Sequence, residues 1–307
     1  MILHLQKEIR LISNKEIQRS FILGDSWVYY KIYSGSKTSD KILLEIIKPL
    51  TEYLLSNKII DKWFFIRYAD PKHHLRFRLH YTNPENIGLI INCLNSEFKK
   101  FSDQDLIWKV QADTYQREIE RYGGNTMVLS EDLFFYDSKM IINFINLIEN
   151  DQGEELRWLF SLKAIDLQLN TFGLNLKEKL ELLNQLKTNF SREFNRSKLV
   201  NKQLNDKYRK EYNAIEEIMH LNVKENSSYT SILRVLMRKE EEMFDIASKV
   251  LKYRKEKKLE VDFNNLMCSY IHMLMNRLFK SKNRLNEMVC YDFLYRYYRS
   301  QYARGLT

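Results

Sequence analysis

Glycine and proline are scarce in this sequence, and their scarcity restricts the fold more than any other feature. There are 8 glycines and 3 prolines in 307 residues, whereas soluble proteins use about 7% glycine and about 5% proline. A sandwich or barrel of many short strands needs turn residues about every 10 positions, and Rossmann and P-loop sites need clustered glycines. The sequence therefore argues against these folds and predicts long helices.

The overall composition indicates a folded chain with a sizeable core. Apolar residues make up 44% of the sequence and charged residues 29%, which excludes disordered and collagen-like chains. The formal net charge is +9, but acidic and basic residues are interspersed. Most of this excess is therefore expected to be solvated surface rather than a footprint for nucleic acid.

The spacing of the cysteines and the lack of long apolar segments indicate where in the cell the protein is expected to be. Cys93, Cys268 and Cys290 lie far apart and form neither a CxxC pair nor a Cys/His cluster, so we expect buried thiols in a reducing compartment and no metal site. Charged residues interrupt positions 1–13, unlike a signal peptide, and no segment reaches about 18 uncharged apolar residues. The sequence predicts a soluble, cytoplasmic protein.

The sequence changes character at the double glycine, Gly123-Gly124. Before it, alternating runs predict strands, and the turn at 70–73 is expected to join two of them in an antiparallel hairpin. We predict an α+β fold in which an N-terminal antiparallel sheet with packed helices is followed by a mostly helical C-terminal part. The predicted strands are 27–33, 63–68, 75–81 and 107–122, and the predicted helices are 40–56, 84–101 with Asn83 as N-cap, 130–149, 153–171, 175–220, which is long enough for two helices, 229–254, 262–282 and 286–303.

The strand LRFRLHY at 75–81 carries the first candidate site. Because side chains alternate along a strand, Arg76 and Arg78 share the face opposite Leu75, Phe77 and Leu79, about 7 Å apart. They are either solvated surface residues or a clamp that binds a carboxylate or phosphate. Hairpin pairing is also expected to bring Arg67, from the neighbouring strand, beside Arg76 or Arg78.

The segment YQREIERYGG at 115–124 carries the second candidate site. Read as a strand, it places Arg117 and Arg121 on one face and Glu118 and Glu120 on the other. This pattern indicates either a surface set of ion pairs or a third cation, Arg121, with a glutamate that orients it or transfers a proton. The two glycines then allow a sharp exit or a close approach of the backbone to a ligand.

His272 in the helix SYIHMLMNRLF is the third candidate. It shares a face with Asn276 one helical turn away, and apolar residues surround both. It is either a hydrogen-bonded core histidine or a proton carrier, since an unperturbed imidazole titrates near neutral pH. HExxH, GxSxG and Cys/His signatures are absent from the sequence, so metal-dependent hydrolysis and nucleophilic acyl transfer have no support.

Four segments, taken in order, resemble successive motifs of one family, the C-terminal domain of class I lantibiotic dehydratases, also called the thiopeptide-type bacteriocin biosynthesis domain. They are GDSWVYYKIYSG at 24–35, WFFIRYADPKHHLRFRL at 63–79, REIERYGG at 117–124 and HMLMNRLF at 272–279. The resemblance implies glutamate elimination: removal of glutamate from an esterified Ser or Thr of a precursor peptide, leaving dehydroalanine or dehydrobutyrine.

The resemblance also implies roles for individual residues. The arginines of the family's HLR-x-R strand fall on Arg76 and Arg78, its functional glutamate and arginine on Glu118 and Arg121, and its catalytic histidine on His272. Glu120 remains an alternative to Glu118, and whether His272 removes the α-proton stays open. In the family a glycine often follows the NRL run, where Lys280 stands here, and that departure is expected to affect only a helix end.

The implied partners and organisation follow. The resemblance predicts a single elimination-type domain over 1–307, with a sheet-containing lobe at 1–125 and a helical lobe at 126–307, as the stand-alone half of a split dehydratase. Its partners would be a glutamylated precursor peptide and a separate glutamylation enzyme, with no cofactor, no membrane and a possible homodimer. Since glutamyl-tRNA is used by the glutamylation half, only a weak, salt-sensitive interaction with RNA is expected here.

The sequence leaves two alternatives to elimination open. Related domains of the same family form the pyridine ring of thiopeptides from two dehydroalanines by a formal cycloaddition, although ring closure has no glutamate for an arginine set to bind. In the second alternative, the chain is a non-catalytic subunit that holds the precursor peptide on an exposed sheet edge while a partner does the chemistry.

Overall fold

The computed structural model describes residues 17–148, 152–193, 198–221 and 229–305. The signal-peptide prediction concerns residues 1–13, which lie outside these ranges. Residues 194–197, within the helix predicted over 175–220, lie outside them as well.

The described strands all lie in the first part of the chain and form two antiparallel sheets. The strands are β1 (Ser20–Phe21), β2 (Trp27–Ser34), β3 (Lys62–Tyr68), β4 (His74–His80), β5 (Ile107–Ala112) and β6 (Tyr115–Gln116). The larger sheet has four strands in the order β3-β4-β2-β5, and a two-stranded sheet pairs β1 with β6. The hairpin predicted from the turn at 70–73 is confirmed, since β3 and β4 pair antiparallel on either side of it.

Helices cover the apolar face of the larger sheet. Leu75, Phe77 and Leu79 on this face are fully buried, and Tyr30 of the same face meets Phe98 of a covering helix with 6.1 Å between ring centroids. The helix predicted over 40–56 is present, with a π-helical segment in its middle. The helices of this region are α1 (Thr38–Ile42), the π-helical segment (Leu43–Ile47), α2 (Lys48–Ser56) and α3 (Asn86–Ser102).

The start of α3 differs slightly from the prediction. The helix begins at Asn86 rather than at Pro84. The N-cap predicted at Asn83 is therefore wrong, since the N-cap residue is Glu85. Asn83 Oδ1 accepts a hydrogen bond from the Glu85 amide at 3.1 Å in the turn before the helix.

From Met127 onward the described chain is helical, as predicted, although the predicted 175–220 helical stretch is three helices rather than one or two. A short helix, α4 (Ile119–Tyr122), precedes Met127 where a strand was predicted. The helices that follow it are α5 (Met127–Ile145), α6 (Gln152–Thr171), α7 (Leu176–Glu193), α8 (Lys198–Lys210), α9 (Tyr212–His220), α10 (Thr230–Lys255), α11 (Phe263–Leu278) and α12 (Asn283–Ala303). The α+β prediction is therefore confirmed. Within the described ranges, no helix is both long enough and apolar enough to cross a bilayer.

Two of these helices close the outer edge of β3. The edge amide of Phe65 donates a hydrogen bond to Ser138 Oγ of α5 at 3.2 Å, and that of Arg67 donates to Asn276 Oδ1 of α11 at 3.0 Å. An unpaired edge strand exposes such amides in alternation. Side chains of α5 and α11 satisfy these two, so α11 is fixed against the strand that carries Arg67.

The strand predicted over 107–122 is wrong in its second half. It ends at Ala112, resumes only as β6, and gives way to the single helical turn α4. The amides of Arg121 and Tyr122 both donate to the Glu118 carbonyl, at 2.9 and 3.1 Å. The alternation predicted for 115–124 therefore fails, because a helical turn replaces the period-two backbone on which it depended.

Candidate functional site

A cavity of about 580 Å³ opens where the end of β3, the following turn and the start of α12 meet α11. It holds His272 and Asn276, as their shared helical face predicted, and Arg67. Its other lining residues are Tyr68, Ala69, His73, Lys280, Ser281, Lys282, Asn283, Arg284, Leu285 and Glu287. We call it the His272 cavity.

His272 is hydrogen-bonded to a buried carboxylate. Its Nδ1 lies 3.1 and 3.0 Å from Oε1 and Oε2 of Glu287, and Glu287 has no exposed surface. An ionised carboxylate can only accept a hydrogen bond, so His272 Nδ1 carries the hydrogen and donates it to Glu287. The His272 side chain is 27% exposed, so the imidazole belongs to the cavity wall rather than to the sealed core.

A second histidine in the cavity has a different environment. His73 Nδ1 lies 3.2 Å from the Ser34 carbonyl oxygen. Burial lowers the pKa of His73. His73 is therefore neutral over a wider pH range than an unperturbed histidine.

Arg67 is buried in a network of structural contacts. Its Nε donates to the Arg277 carbonyl at 2.8 Å, one Nη donates to Ser39 Oγ, and the other lies 2.6 Å from Asp40 Oδ1. Arg157 of α6 binds the second oxygen of Asp40. Burial acts to raise the pKa of Asp40, but Arg67 and Arg157 outweigh it, so this pKa lies below its ordinary value.

Basic residues from the end of α11 to the first turn of α12 line the same cavity. Lys280, Lys282 and Arg284 stand in its wall, and Lys280 Nζ lies 3.9 Å from Asp40 Oδ2. The expectation that the Lys280 departure affects only a helix end is therefore wrong, since the side chain reaches the His272 cavity. Arg284 Nη1 lies 3.3 Å from Glu287 Oε2.

Arg78 lines a separate, small pocket. Its guanidinium carbon lies 4.3, 4.7 and 5.1 Å from the ring centroids of Tyr29, Tyr115 and Phe64. Its Nε has no hydrogen-bond partner among the described residues, and burial lowers its pKa. The pocket volume is about 30 Å³, and Glu118 and Met273 also line it.

Arg76 lies on the open part of the same sheet face. Its guanidinium carbon is 3.5 Å from the ring centroid of Tyr68, and Tyr68 also lines the His272 cavity. Arg67 does not join this face. It pairs with Leu75, whereas Arg76 pairs with Ile66, so the prediction that Arg67 lies beside Arg76 or Arg78 is wrong: paired residues of antiparallel strands share a face.

The charged residues near the double glycine divide into separate ion pairs. Arg121 Nη1 lies 3.0 Å from Glu118 Oε2, at the surface. Glu120 binds Arg19 instead, at 2.6 Å, and lies outside the pocket that Glu118 lines. Arg117 turns inward to the buried Glu131, also at 2.6 Å.

The double glycine makes the sharp exit that was predicted. Gly123 has φ +74°, which only glycine adopts freely. The Gly124 amide donates to Glu260 Oε2 at 2.6 Å, and a Cβ on Gly124 would lie 2.9 Å from that same oxygen. The close approach made here is to Glu260 of this chain.

The structure thus divides most of the candidate residues into two groups. His272, Asn276 and Arg67 line the His272 cavity. Arg78 and Glu118 line the small pocket, and Arg121 is paired with Glu118. Arg76 belongs to neither group and lies against the ring of Tyr68. Glu287 and the basic residues after α11 were missed. The run KSKNR directly after HMLMNRLF is a sequence signal for the second set, whereas Glu287 had none.

The comparison with known families decides the affiliation. Residues 27–298 match the family described as "Lantibiotic biosynthesis dehydratase C-term". The chain belongs to this family. The lantibiotic dehydratase motifs noted in the sequence all fall in this range except the first three residues of the earliest one.

A sequence relative matches this chain over less than half of its length. It is 30% identical over 131 residues to nisin biosynthesis protein NisB of Lactococcus lactis subsp. lactis, which covers 42% of this chain and 13% of NisB. The chain thus spans a small part of the length of this curated relative.

Solved structures show the same fold. The tRNA-dependent lantibiotic dehydratase MibB from Microbispora sp. 107891 matches 92% of this chain and 29% of its own, with a TM-score of 0.70 and 19% identity. TbtD, a pyridine synthase from thiomuracin biosynthesis, matches 90% of this chain and all of its own, with a TM-score of 0.63 and 11% identity. At these identities the likeness establishes the fold alone.

Metal ligation has no support in the described structure. Within residues 17–148, 152–193, 198–221 and 229–305, no three His, Cys, Asp or Glu side chains are grouped so that they could hold a metal ion.

Proposed function

We propose that this chain eliminates glutamate from a precursor peptide whose Ser or Thr hydroxyl carries a glutamyl ester, leaving dehydroalanine or dehydrobutyrine. The observation that carries the proposal is His272, hydrogen-bonded to Glu287 in the wall of a cavity that also presents Lys280, Lys282 and Arg284. Membership of the lantibiotic dehydratase family supports the reaction class. In this proposal the chain is one elimination domain that needs no cofactor, and a glutamylation activity supplies its substrate.

The reaction needs a base, and His272 is the group proposed for it. Nδ1 is engaged with Glu287, while Nε2 makes no hydrogen bond to any described residue. Nε2 takes the α-proton of the esterified residue, and the electrons of the Cα–H bond form the Cα=Cβ double bond. The Cβ–O bond breaks, glutamate leaves as a carboxylate, and His272 returns the proton to solvent.

The leaving group explains the abundance of cations. Departing glutamate carries a second carboxylate, and cations around it neutralise the charge that develops on the ester oxygen. Lys280, Lys282 and Arg284 lie on the His272 side. From the sheet side, we assign Arg76, Arg78 and Arg121 to binding the peptide carbonyl and the glutamyl group. Glu118 orients Arg121. Asn276 and Arg67 belong to the cavity wall that positions the peptide.

The test is a mass measurement on purified protein incubated with a glutamylated peptide. Elimination removes glutamate and leaves a dehydrated residue. His272→Ala should accumulate glutamylated peptide, since general acid–base catalysis contributes about 10²–10⁴-fold. The matched control is His220→Ala, because His220 is exposed on α9 and is not among the residues that line the His272 cavity.

Three results would contradict the proposal. His272→Ala with the wild-type rate would remove the role of His272. Peptide binding without turnover would indicate a non-catalytic subunit. Ring closure and leader release from a dehydrated, azole-containing peptide, without action on the glutamyl ester, would indicate the cycloaddition.

A further inference from the structure

Glu287 is a fully buried carboxylate that no motif of the sequence singled out. It lies near the start of α12, 15 positions after His272, and packing of α11 against α12 brings the two side chains together. Its exposed surface is 0%. A buried carboxylate is costly unless it is paired and hydrogen-bonded, so its partners show what it is for.

Three donors converge on the Glu287 carboxylate. Tyr291 OH, one turn further along α12, donates to Oε2 at 3.2 Å, and Arg284 Nη1 donates to the same oxygen at 3.3 Å. His272 Nδ1 reaches both oxygens. Burial, and after it the Glu287 carboxylate, raise the pKa of Tyr291 well above its ordinary value, so the phenol keeps its proton and remains a donor.

Arg284 in turn is fixed by a second carboxylate and an aromatic ring. It forms hydrogen bonds to both oxygens of Glu193 at the end of α7, and its guanidinium carbon lies 4.1 Å from the Phe190 ring centroid. Glu287 therefore has one defined position, set by α7, α11 and α12 together.

We propose that Glu287 is the positioning residue for His272: it holds the imidazole with the proton on Nδ1 and the free electron pair of Nε2 facing the cavity. This inference rests on the proposed elimination and adds a residue to it. When Nε2 takes the α-proton, the ring becomes a cation, and the buried carboxylate against Nδ1 stabilises that cation in a poorly solvated place. Glu287 itself neither gains nor loses a proton.

The test replaces Glu287 by glutamine, which keeps the size and removes the charge. For Glu287→Gln we expect kcat for elimination to fall by up to about 10⁴-fold, the loss that follows when a carboxylate that fixes a catalytic histidine is made an amide. KM should change little, because Glu287 contacts the histidine and not the peptide. Glu287→Asp should restore part of kcat, since the charge returns with a shorter reach.

The matched control is Asp292→Asn. Asp292 is equally buried on α12 and pairs with Arg296, away from the His272 cavity. It should lose stability without the specific loss of kcat per folded molecule. If Glu287→Gln does not fold, Tyr291→Phe removes a single hydroxyl donor from Glu287 and should lower kcat about 2- to 10-fold, the effect of losing one hydrogen bond of about 0.5–1.5 kcal/mol.

A measurement without substrate separates this inference from the proposed function. In protein labelled with ¹⁵N-histidine, the His272 signals are assigned from His272→Ala. In the neutral form of its ring, wild-type His272 should carry the proton on Nδ1 and not on Nε2, and Glu287→Gln should change that tautomer pattern. If the wild-type protein shows this ¹⁵N pattern but eliminates no glutamate, the proposed function fails and the role of Glu287 in positioning His272 stands. If the wild type eliminates glutamate and Glu287→Gln has the same kcat and the same ¹⁵N pattern, the positioning role of Glu287 is overturned.

Discussion

Arg67 and Arg78 belong to the same hairpin and are both buried, yet their surroundings differ. Arg67 on β3 is surrounded by the Asp40 carboxylate, a hydroxyl and a backbone carbonyl. Arg78 on β4 lies among the rings of Tyr29, Phe64 and Tyr115, and its Nε has no hydrogen-bond partner in the described structure.

The difference separates a charge held by acceptors of the fold from one whose Nε has no acceptor among the described residues. The Arg67 guanidinium joins β3 to α1 and α11, and through Asp40 also to α6. Ring faces attract the Arg78 guanidinium, but they satisfy none of its N–H groups. In the proposed function, a bound carboxylate or enolate oxygen would provide the acceptor that Nε of Arg78 lacks.

The largest expected effect is on the Arg67 side. Asp40→Asn leaves two buried cations, Arg67 and Arg157, without their carboxylate, and should lower the free energy of unfolding by about 3–5 kcal/mol. Urea unfolding measures it. Asp103→Asn, at an exposed ion pair with Lys99, is the control and should cost at most about 1 kcal/mol. Equal losses in the two variants would show that the Arg67 network does not stabilise the fold.

The Arg78 side should respond in the opposite way. Arg78→Met removes a buried charge and keeps the volume, so the free energy of unfolding should stay within about 1 kcal/mol of wild type or rise. Elimination should fall about 10²–10³-fold if Arg78 stabilises developing charge. Arg67→Met is the matched variant and should lose stability, because Asp40 loses a partner. Strong destabilisation by Arg78→Met would break the comparison.

The pH dependence of stability should identify Asp40. Its folded-state pKa is depressed, so the stability it contributes is present above its unfolded pKa of about 3.9 and is lost as pH falls through the lower folded value. Urea unfolding from pH 6 to pH 3 should show the gap between wild type and Asp40→Asn narrowing below about pH 4. A gap that is constant over this range would contradict the assignment.

The smallest effect on stability is expected at Glu118 and Arg121. Their side chains are 61% and 39% exposed, and exposed pairs contribute about 0.2–1 kcal/mol. A double-mutant cycle of Glu118→Gln and Arg121→Gln should give a coupling free energy below about 1 kcal/mol. Loss of elimination in the same variants would then reflect the reaction. A larger coupling would make this pair structural, like Arg67 and Asp40.

The sequence predicted more of the fold than of the site. Alternation gave β2, β3 and β4 almost to the residue, and helical periodicity gave most of the later helices. It failed at 115–124, because YQREIERY alternates charge in a way that suits a strand. The single turn of α4 depends instead on the Glu118 carbonyl accepting two amides and on Arg117 turning inward to Glu131.

The sequence by itself determined the α+β class, the hairpin, the family motifs, and the shared face of His272 and Asn276. These follow from short-range periodicity and from motif order. Only the tertiary structure decided that Arg67 is a structural cation, that Arg78 is enclosed by rings, and that Glu287 contacts His272. The physical reason is that a charge acquires its role from partners far along the chain, and side chains of α7, α11 and α12 meet only when the helices pack.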